Sequence, residues 1–322
     1  MSRGIEILKL MDELNNMPEY ALFIELKGFS VSIYTFDKNY LELVKLLKFL
    51  AFNPNAEFLY WLRNRDKLNL VMHDITRLIH NFVAASLSLI DHTRRLYSKL
   101  YEEAEIFPEY RSRVSSEFAH DPLSQFFKGL RQYCQHYKAP NLDITTSWQK
   151  GGEGESRSFN LLKADLESFD GWTATAQRYL DTIDEKVDIL KVATEYRRKV
   201  ITFYQWFQSR QEEIHSDDLH RFKEKEAQLM SLMLEDKIDM SFAKSNQNIP
   251  HRKDEIFTSI FTSKEFDELD KLPRDSQDRP RRAIEMLEER FFPIGEEIKQ
   301  RIIKLYELPD IVPETNDLHD SI

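Results

Sequence analysis

The clearest pattern of apolar and polar positions lies between Leu68 and Glu103 and predicts one long amphipathic helix. At about 100° per residue, its apolar side chains fall on one broad face and its polar side chains on a narrow opposite stripe. The apolar face carries Ile75, Leu78, Phe82, Ala85, Leu89 and Leu96, and the stripe carries His73, Arg77, His80, Ala84, Asp91 and Arg95. We expect this helix to pack by its apolar face on a helical core.

Shorter helical patterns surround the long one. The best defined covers 123–138, because Asp121 can cap it and Pro122 suits its first position. It should end before Pro140, since the residue preceding a proline resists helical angles. Residues 29–35 alternate and could form a strand, although a buried loop or a helix fits nearly as well. Further helices are predicted at 2–16, 40–52, 56–66, 108–118, 172–183, 184–235, 254–271, 280–291 and 295–307.

Two strands are predicted at 141–149 and 158–166, after the 123–138 helix. The segment between them holds three of the eight glycines, so a β-hairpin projecting from a helical body is expected. A polar stretch over 241–253 is a candidate linker. The predicted fold is therefore mainly α, organised as a helical domain over 1–240 with a hairpin near 141–166, a C-terminal helical region over 241–308 and an acidic, disordered tail over 309–322.

Composition indicates the cellular compartment in which the protein is expected to act. Cys134 is the one cysteine among 322 residues, so no intramolecular disulfide can form and a reducing compartment is expected. The chain has no run of about 18 apolar residues, and its first thirty residues carry no secretory signal. We therefore expect a soluble, cytoplasmic protein without a membrane span.

The net charge of −10 weighs against nucleic-acid binding over the whole surface, because phosphate contacts need clustered lysine and arginine. Any RNA site must therefore be a local basic patch. The cluster of Arg279, Arg281 and Arg282 does not meet this need, since it is interleaved with Asp275 and Asp278 and fits a solvated helix start.

The segment from Leu130 to His136, Leu-Arg-Gln-Tyr-Cys-Gln-His, places an arginine and a histidine on the 123–138 helix with four residues between them. It resembles the R-x4–6-H signature of the HEPN superfamily, whose helical domains often act as metal-independent RNases in defence and toxin systems. Segments 77–85 and 91–94 are similar to parts of uncharacterised bacterial helical proteins, so the resemblance covers roughly 68–140. One position departs from the pattern, because Gln132 stands where HEPN nucleases usually have Asn, Asp or His.

The resemblance implies an HEPN-like multi-helix bundle, an RNA-cleaving or RNA-binding function without a cofactor, and a homodimer. It assigns the catalytic roles to Arg131 and His136. An imidazole that titrates near neutral pH can take or give a proton, and a guanidinium can stabilise charge on phosphate oxygens. The supporting residues expected along the same groove are Gln132, His73, Arg77 and His80. A metal is disfavoured there, because Arg77 is a fixed cation between the two histidines.

Arg131 and His136 lie about 140° apart on an ideal helix, so their side chains do not converge on a straight one. The longer way round between them is a broad apolar seam formed by Leu123, Phe126, Phe127, Leu130, Tyr133, Cys134 and Tyr137. Two copies packed seam to seam about a twofold axis would bring the arginine of one copy towards the histidine of the other. A bend at the helix end would instead bring the two together within one chain.

A structural alternative explains the same two residues without catalysis. His136 could bond the last carbonyl groups of its helix, and Arg131 could pair with a surface carboxylate. The protein would then be a non-catalytic helical scaffold that binds a protein partner. Spacing alone does not decide between the two, because similar pairs occur at Arg113/His120 and Arg210/His215.

Two other kinds of site receive less support. The Glu-x-x-His pairs Glu117/His120 and Glu212/His215 are what a di-metal helical protein would need, but one lies at a helix boundary and the other in a charged stretch. Cys134 lies on the apolar seam, so a buried structural thiol is expected there rather than a nucleophile.

Overall fold

The computed structural model describes residues 3–148, 155–245, 254, 257–258, 260–273, 276–290 and 294–307. Over these residues the chain is mainly helical with one small antiparallel sheet, which confirms the predicted mainly α fold with an inserted hairpin. The regular elements are α1 (Arg3–Asn15), α2 (Pro18–Phe52), α3 (Arg65–Tyr97), α4 (Glu109–Val114), α5 (Pro122–Gln132), β1 (Leu142–Trp148), β2 (Glu155–Leu162), α6 (Lys163–Glu167), α7 (Ala174–Asp181), β3 (Lys186–Asp188), α8 (Ile189–Ile214), α9 (Ser216–Ser245), α10 (Ser263–Leu269), α11 (Asp278–Arg290) and α12 (Glu296–Glu307). None of the helices described is both long enough and apolar enough to cross a membrane.

The chain forms two compact units, Ile24–Ser216 and the combination of Met1–Phe23 with Asp217–Ile322. The domain limits predicted from the sequence stay a prediction, and these units differ from them by placing the first helix with the C-terminal part. The predicted linker falls mostly outside the described residues, apart from the end of α9, and the predicted tail lies wholly outside them.

The core of the Ile24–Ser216 unit is an aromatic cluster contributed by α2, α3, α5 and α8. The Phe82 ring meets Phe127 edge to face at 5.7 Å between centroids, and Phe127 stacks on Tyr196 at 3.9 Å. Phe36 is fully buried against Phe82, with centroids 5.3 Å apart. Burial of each such ring contributes roughly 1.5 to 3 kcal/mol, so this cluster fixes the four helices against one another.

Most of the predicted helices of this unit are confirmed. Two segments differ from the rest, one with an ambiguous pattern and one whose predicted helix does not form. Residues 29–35, left open between strand, loop and helix, are helical within α2, where Phe29 and Phe36 are buried seven residues apart on one face. The regular helix predicted at 56–66 is wrong. The chain forms 3₁₀ turns at Pro54–Tyr60 and Leu62–Asn64 instead, because Trp61 between them adopts an extended backbone with ψ 138°.

Helix α5 lies between α3 and α7 and begins as predicted. The Asp121 carboxylate caps it by accepting from the Ser124 N–H at 2.8 Å. One flank packs on the Trp172 indole that precedes α7, through Phe126 stacked at 5.4 Å and through Gly129. The other flank packs on α3, where Phe127 meets Phe82. Both sides of α5 are thus held by close packing.

The sheet follows α5 along the chain. Strands β1 and β2 form the predicted antiparallel hairpin, with Ile144 opposite Phe159. A third strand, β3, pairs with β2 and places Val187 opposite Leu161. This strand was not expected, because three residues inside a charged segment give too short a pattern to detect.

The second unit has its own core, formed mainly by α9, α11 and α12, and the predicted helices at 280–291 and 295–307 are confirmed. Among the described residues of 254–271, a region predicted as one helix, the α-helix is the short α10, which starts at a capping box on Thr262. A buried ion pair stabilises this unit, since Arg279 Nε donates to Asp254 at 3.2 Å. The Tyr306 hydroxyl donates to the same carboxylate, so Asp254 links two helices.

The close packing of α5 against Trp172 can be tested at Gly129. A Cβ at this position would overlap the indole, so Gly129→Ala is expected to lower the free energy of unfolding by about 1 to 3 kcal/mol despite the better helix propensity of alanine. The matched control is Gly28→Ala in α2, where no described atom lies within 4 Å of the added methyl. That variant should gain about 0.5 to 1 kcal/mol. Urea denaturation of both variants measures the difference, and equal effects would contradict the packing described.

Candidate functional site

Arg131 lies on the flank of α5 that packs against α3. It follows Phe127 by four residues, so the two side chains share one side of the helix, and Phe127 contacts Phe82 of α3. The Arg131 side chain is half-buried, and its Nε is buried without a hydrogen-bond partner among the described residues. A buried N–H group without an acceptor costs about 1 to 3 kcal/mol. The Arg131 guanidinium is therefore expected to lower the stability of the fold rather than raise it.

His136 lies in a π turn that continues α5. Residues Tyr133–Tyr137 form this turn, and Lys138 N–H bonds to the Tyr133 carbonyl at 3.1 Å. A π turn holds more residues per turn than an α-helix, so the angle between Arg131 and His136 is smaller than the roughly 140° of an ideal α-helix. The imidazole is exposed, so it is open to a ligand.

Most of the apolar seam of the motif helix, α5 with its π turn, is buried by other parts of the same chain. Five of its seven residues are buried, because α3 and α7 cover them; these are Leu123, Phe126, Phe127, Leu130 and Tyr133. The expected seam-to-seam contact between two copies is therefore wrong. The exposed side of the helix is instead the one that carries Lys128, Gln132 and His136.

The three arginine–histidine pairs with similar spacing differ in their contacts. Arg210 pairs with Glu109 at 2.6 Å, and its partner His215 is buried. Arg113 pairs with Glu117 and lies over the Trp206 ring at 4.2 Å. Within the part of the chain that the structure describes, Arg131 has no ion pair. Contacts thus distinguish the Arg131/His136 pair from the other two pairs, which spacing could not do.

The expected supporting residues do not all belong to one place. Gln132 is exposed on α5, one residue beyond Arg131. Arg77 is exposed and pairs with Asp74 at 3.3 Å, so the structure does not direct it towards Arg131. His80 is half-buried on α3, and His73 is exposed and lines a cleft described below. Of the α3 stripe, His73 lines this cleft.

A cleft of about 480 Å³ includes Pro140 and Asn141, which follow the π turn after α5 along the chain. Its walls are the 3₁₀ segment after α2, the first turns of α3, and the chain from Pro140 to Ile144. The sequence does not predict this cleft, because the pattern over 56–66 indicates a regular helix. The signal that could have indicated it is the alternation of cations after an aromatic residue, at Trp61, Arg63, Arg65 and Lys67.

Other candidate chemistry receives no support from the contacts. Burial raises the pKa of the Cys134 thiol to about 12, so it stays protonated and unreactive at neutral pH. Glu117 of the first Glu-x-x-His pair is bonded to Arg113. Over the described ranges, no group of three or more His, Cys, Asp or Glu side chains is placed to hold a metal ion.

No protein-family model, curated protein or solved structure matches this chain. The selection of Arg131 and His136 therefore depends on their own environment, above all on a guanidinium N–H that is buried without an acceptor beside an accessible imidazole.

The unusual environment of Arg131 predicts an unusual response to substitution. Arg131→Met removes the N–H that has no acceptor and keeps the aliphatic stem, so the free energy of unfolding should stay unchanged or rise by about 1 kcal/mol. The matched control, Arg113→Met, breaks an ion pair and a contact with the Trp206 ring, and should lose about 1 kcal/mol. Thermal and urea unfolding measure both. A marked loss of stability for Arg131→Met would indicate that the side chain is structural.

Proposed function

We propose that this protein is a metal-independent, HEPN-type endoribonuclease that acts as a homodimer, with a role in bacterial defence or as a toxin. Arg131 binds the phosphate at the cleavage point and His136 transfers a proton. The observation that supports this most directly is that Arg131, half-buried and with an Nε that lacks an acceptor, has no ion pair among the described residues. The terminal N–H groups of its guanidinium, which are not among the buried atoms, would bind the phosphate oxygens.

The chemistry uses groups of the RNA itself as nucleophile and leaving group. The 2′-hydroxyl oxygen forms a bond to the adjacent phosphorus, and the bond from phosphorus to the 5′-oxygen breaks. His136 accepts the proton of the 2′-hydroxyl or donates one to the 5′-oxygen, and water completes the other transfer. The Arg131 guanidinium binds the non-bridging oxygens, where negative charge increases in the transition state. No electron transfer or metal is required.

The proposal predicts RNA cleavage that survives removal of metal ions. The purified protein should cleave single-stranded RNA in the presence of EDTA, and His136→Ala should reduce the rate at least about 100-fold, as expected for loss of a general acid or base. The matched control is His120→Ala, which removes an exposed histidine from a pair of similar spacing. Circular dichroism should show that both variants are folded. Loss of cleavage on chelation, or equal rates for the two variants, would refute the assignment.

A second experiment tests whether the site forms across a dimer. Arg131→Ala and His136→Ala proteins are each expected to be inactive. After mixing in equal amounts and exchange of subunits, half of the dimers are mixed, and one of their two sites contains both residues. Activity should then return to about a quarter of that of the unmodified protein. An absence of recovery despite subunit exchange shown by mass spectrometry would place the whole site within one chain.

The alternative of a non-catalytic scaffold has one observation in its favour. Helix α2 presents an exposed stripe of apolar residues interleaved with lysines, a pattern typical of a helix that binds a partner surface with acidic residues. The apolar members are Ile24, Val31, Tyr34, Leu41, Phe49 and Phe52. Lys38, Lys45 and Lys48 lie among them and have no ion pair within the described part of the chain. Absence of RNA cleavage, together with a loss of stability in the Arg131→Met variant, would favour this function.

A further inference from the structure

The cleft that includes Pro140 and Asn141 has the size and position of a binding site for part of a substrate. Its volume of about 480 Å³ falls in the range of small-ligand sites, and it is bounded on three sides by separate segments of one compact unit. One wall starts at Pro140, four residues beyond His136. A chain molecule bound at the Arg131 and His136 site could therefore extend into it.

The charge around the cleft is positive although the whole chain has a net charge of −10. Arg63, Arg65 and Lys67 surround the start of α3, and none of the three has an ion pair within the described residues. The nearby acids on the same segments are already engaged, because Glu57 pairs with Arg157 at 2.9 Å and Asp74 pairs with Arg77. Asp66 is the remaining acid beside the three cations. Arg65 lines the cleft, and Arg63 and Lys67 lie on the same segment, so these residues are a candidate for the local basic patch that RNA binding requires.

An aromatic surface stands next to these cations. The Trp61 side chain lines the cleft and is 47% exposed, with the Arg63 guanidinium 4.6 Å from its ring centroid. Tyr60 is held in place behind it, since its hydroxyl donates to the Leu50 carbonyl at 3.0 Å and Arg157 covers its ring at 3.9 Å. An exposed indole on a fixed backbone segment is a stacking platform for a planar ring.

Polar side chains also contribute to the lining. Asn69 and His73 come from α3, and Asn141 comes from the segment that precedes β1. Amide and imidazole groups can both donate and accept hydrogen bonds. They therefore suit the edge of a nucleobase, which carries both donors and acceptors. The rest of the lining is largely apolar, with leucine, methionine, proline and isoleucine side chains. An indole, one arginine and two amides beside these apolar groups suit a ligand with a planar ring and a phosphate, such as one nucleotide.

We infer that this cleft binds one nucleotide of single-stranded RNA, with its base on Trp61 and its phosphate near Arg65 and the first turn of α3. The inference rests on the proposed function, because that function makes RNA the ligand. The cleft is then the part of the protein that selects an unpaired strand. A duplex cannot enter, because its bases are already stacked on each other. The protein should therefore bind unpaired segments in preference to duplexes.

Binding is best measured without cleavage, in the His136→Ala protein. Fluorescence anisotropy with labelled ten-nucleotide oligouridine and oligoadenine gives the affinity. We expect Trp61→Ala to weaken binding about tenfold or more, as for loss of one stacked base, and Trp61→Phe to keep most of it. Arg65→Ala should weaken binding and reduce the slope of log affinity against log salt by about 0.7, the value for one single-strand phosphate contact. An RNA hairpin with a fully paired stem and a minimal loop should bind less tightly than either probe.

Matched controls separate the cleft from general surface binding. Tyr34→Ala removes an aromatic side chain that is 65% exposed on α2, and Arg95→Ala removes an exposed arginine at the far end of α3. Both should leave affinity unchanged within twofold. Equal losses in these controls and in the cleft variants would overturn the inference, as would an absence of RNA binding by a folded protein.

The outcomes also distinguish this inference from the proposed function. If the unmodified protein cleaves RNA but the Trp61→Ala and Arg65→Ala variants bind and cleave as well as it does, the cleft is not the nucleotide site and the nuclease assignment stands. If RNA binds through Trp61 and Arg65 but is never cleaved, the cleft inference stands and the catalytic assignment fails.

Discussion

The position of helix α5 between α3 and α7 is the constraint on which the candidate site depends. One flank is fixed by Phe126 and Gly129 against the Trp172 indole, and the other by Phe127 against Phe82. With both flanks packed, the helix cannot rotate about its axis. Arg131 is consequently held at the edge of the core, where its Nε loses water without gaining a partner among the described residues. The packing of α5 is therefore the reason that the Arg131 Nε is buried without an acceptor among the described residues.

The same constraint decides which parts of the α5 surface remain available. Because the apolar seam is used inside the chain, any partner must approach the side that carries Lys128, Gln132 and His136. This side is polar, and it leads along the chain to the cleft walls at Pro140 and Asn141. A ligand or partner of this helix would therefore meet a polar surface rather than the apolar seam.

Helical elements could be predicted from the sequence where amphipathic periodicity was long or capping was explicit, as in α3 and at Asp121. The hairpin was predictable because its strands flank a glycine-containing segment. The 3₁₀ turns around Trp61 were not, since their conformation depends on a local extended residue rather than on a periodic pattern. For the same reason the cleft was missed. The motif pair was found by its resemblance, but the burial that distinguishes Arg131 from Arg113 and Arg210 depends on tertiary packing.

The π turn at Tyr133–Tyr137 has a consequence for how such a site can change over evolution. A helix end that can widen by one residue absorbs a single insertion or deletion without moving the rest of the fold. The number of residues between the arginine and the histidine is then free to vary, while the imidazole keeps its place at the surface. This gives a physical reason why a motif of this kind can tolerate a variable spacer where an ordinary helical motif would lose its alignment.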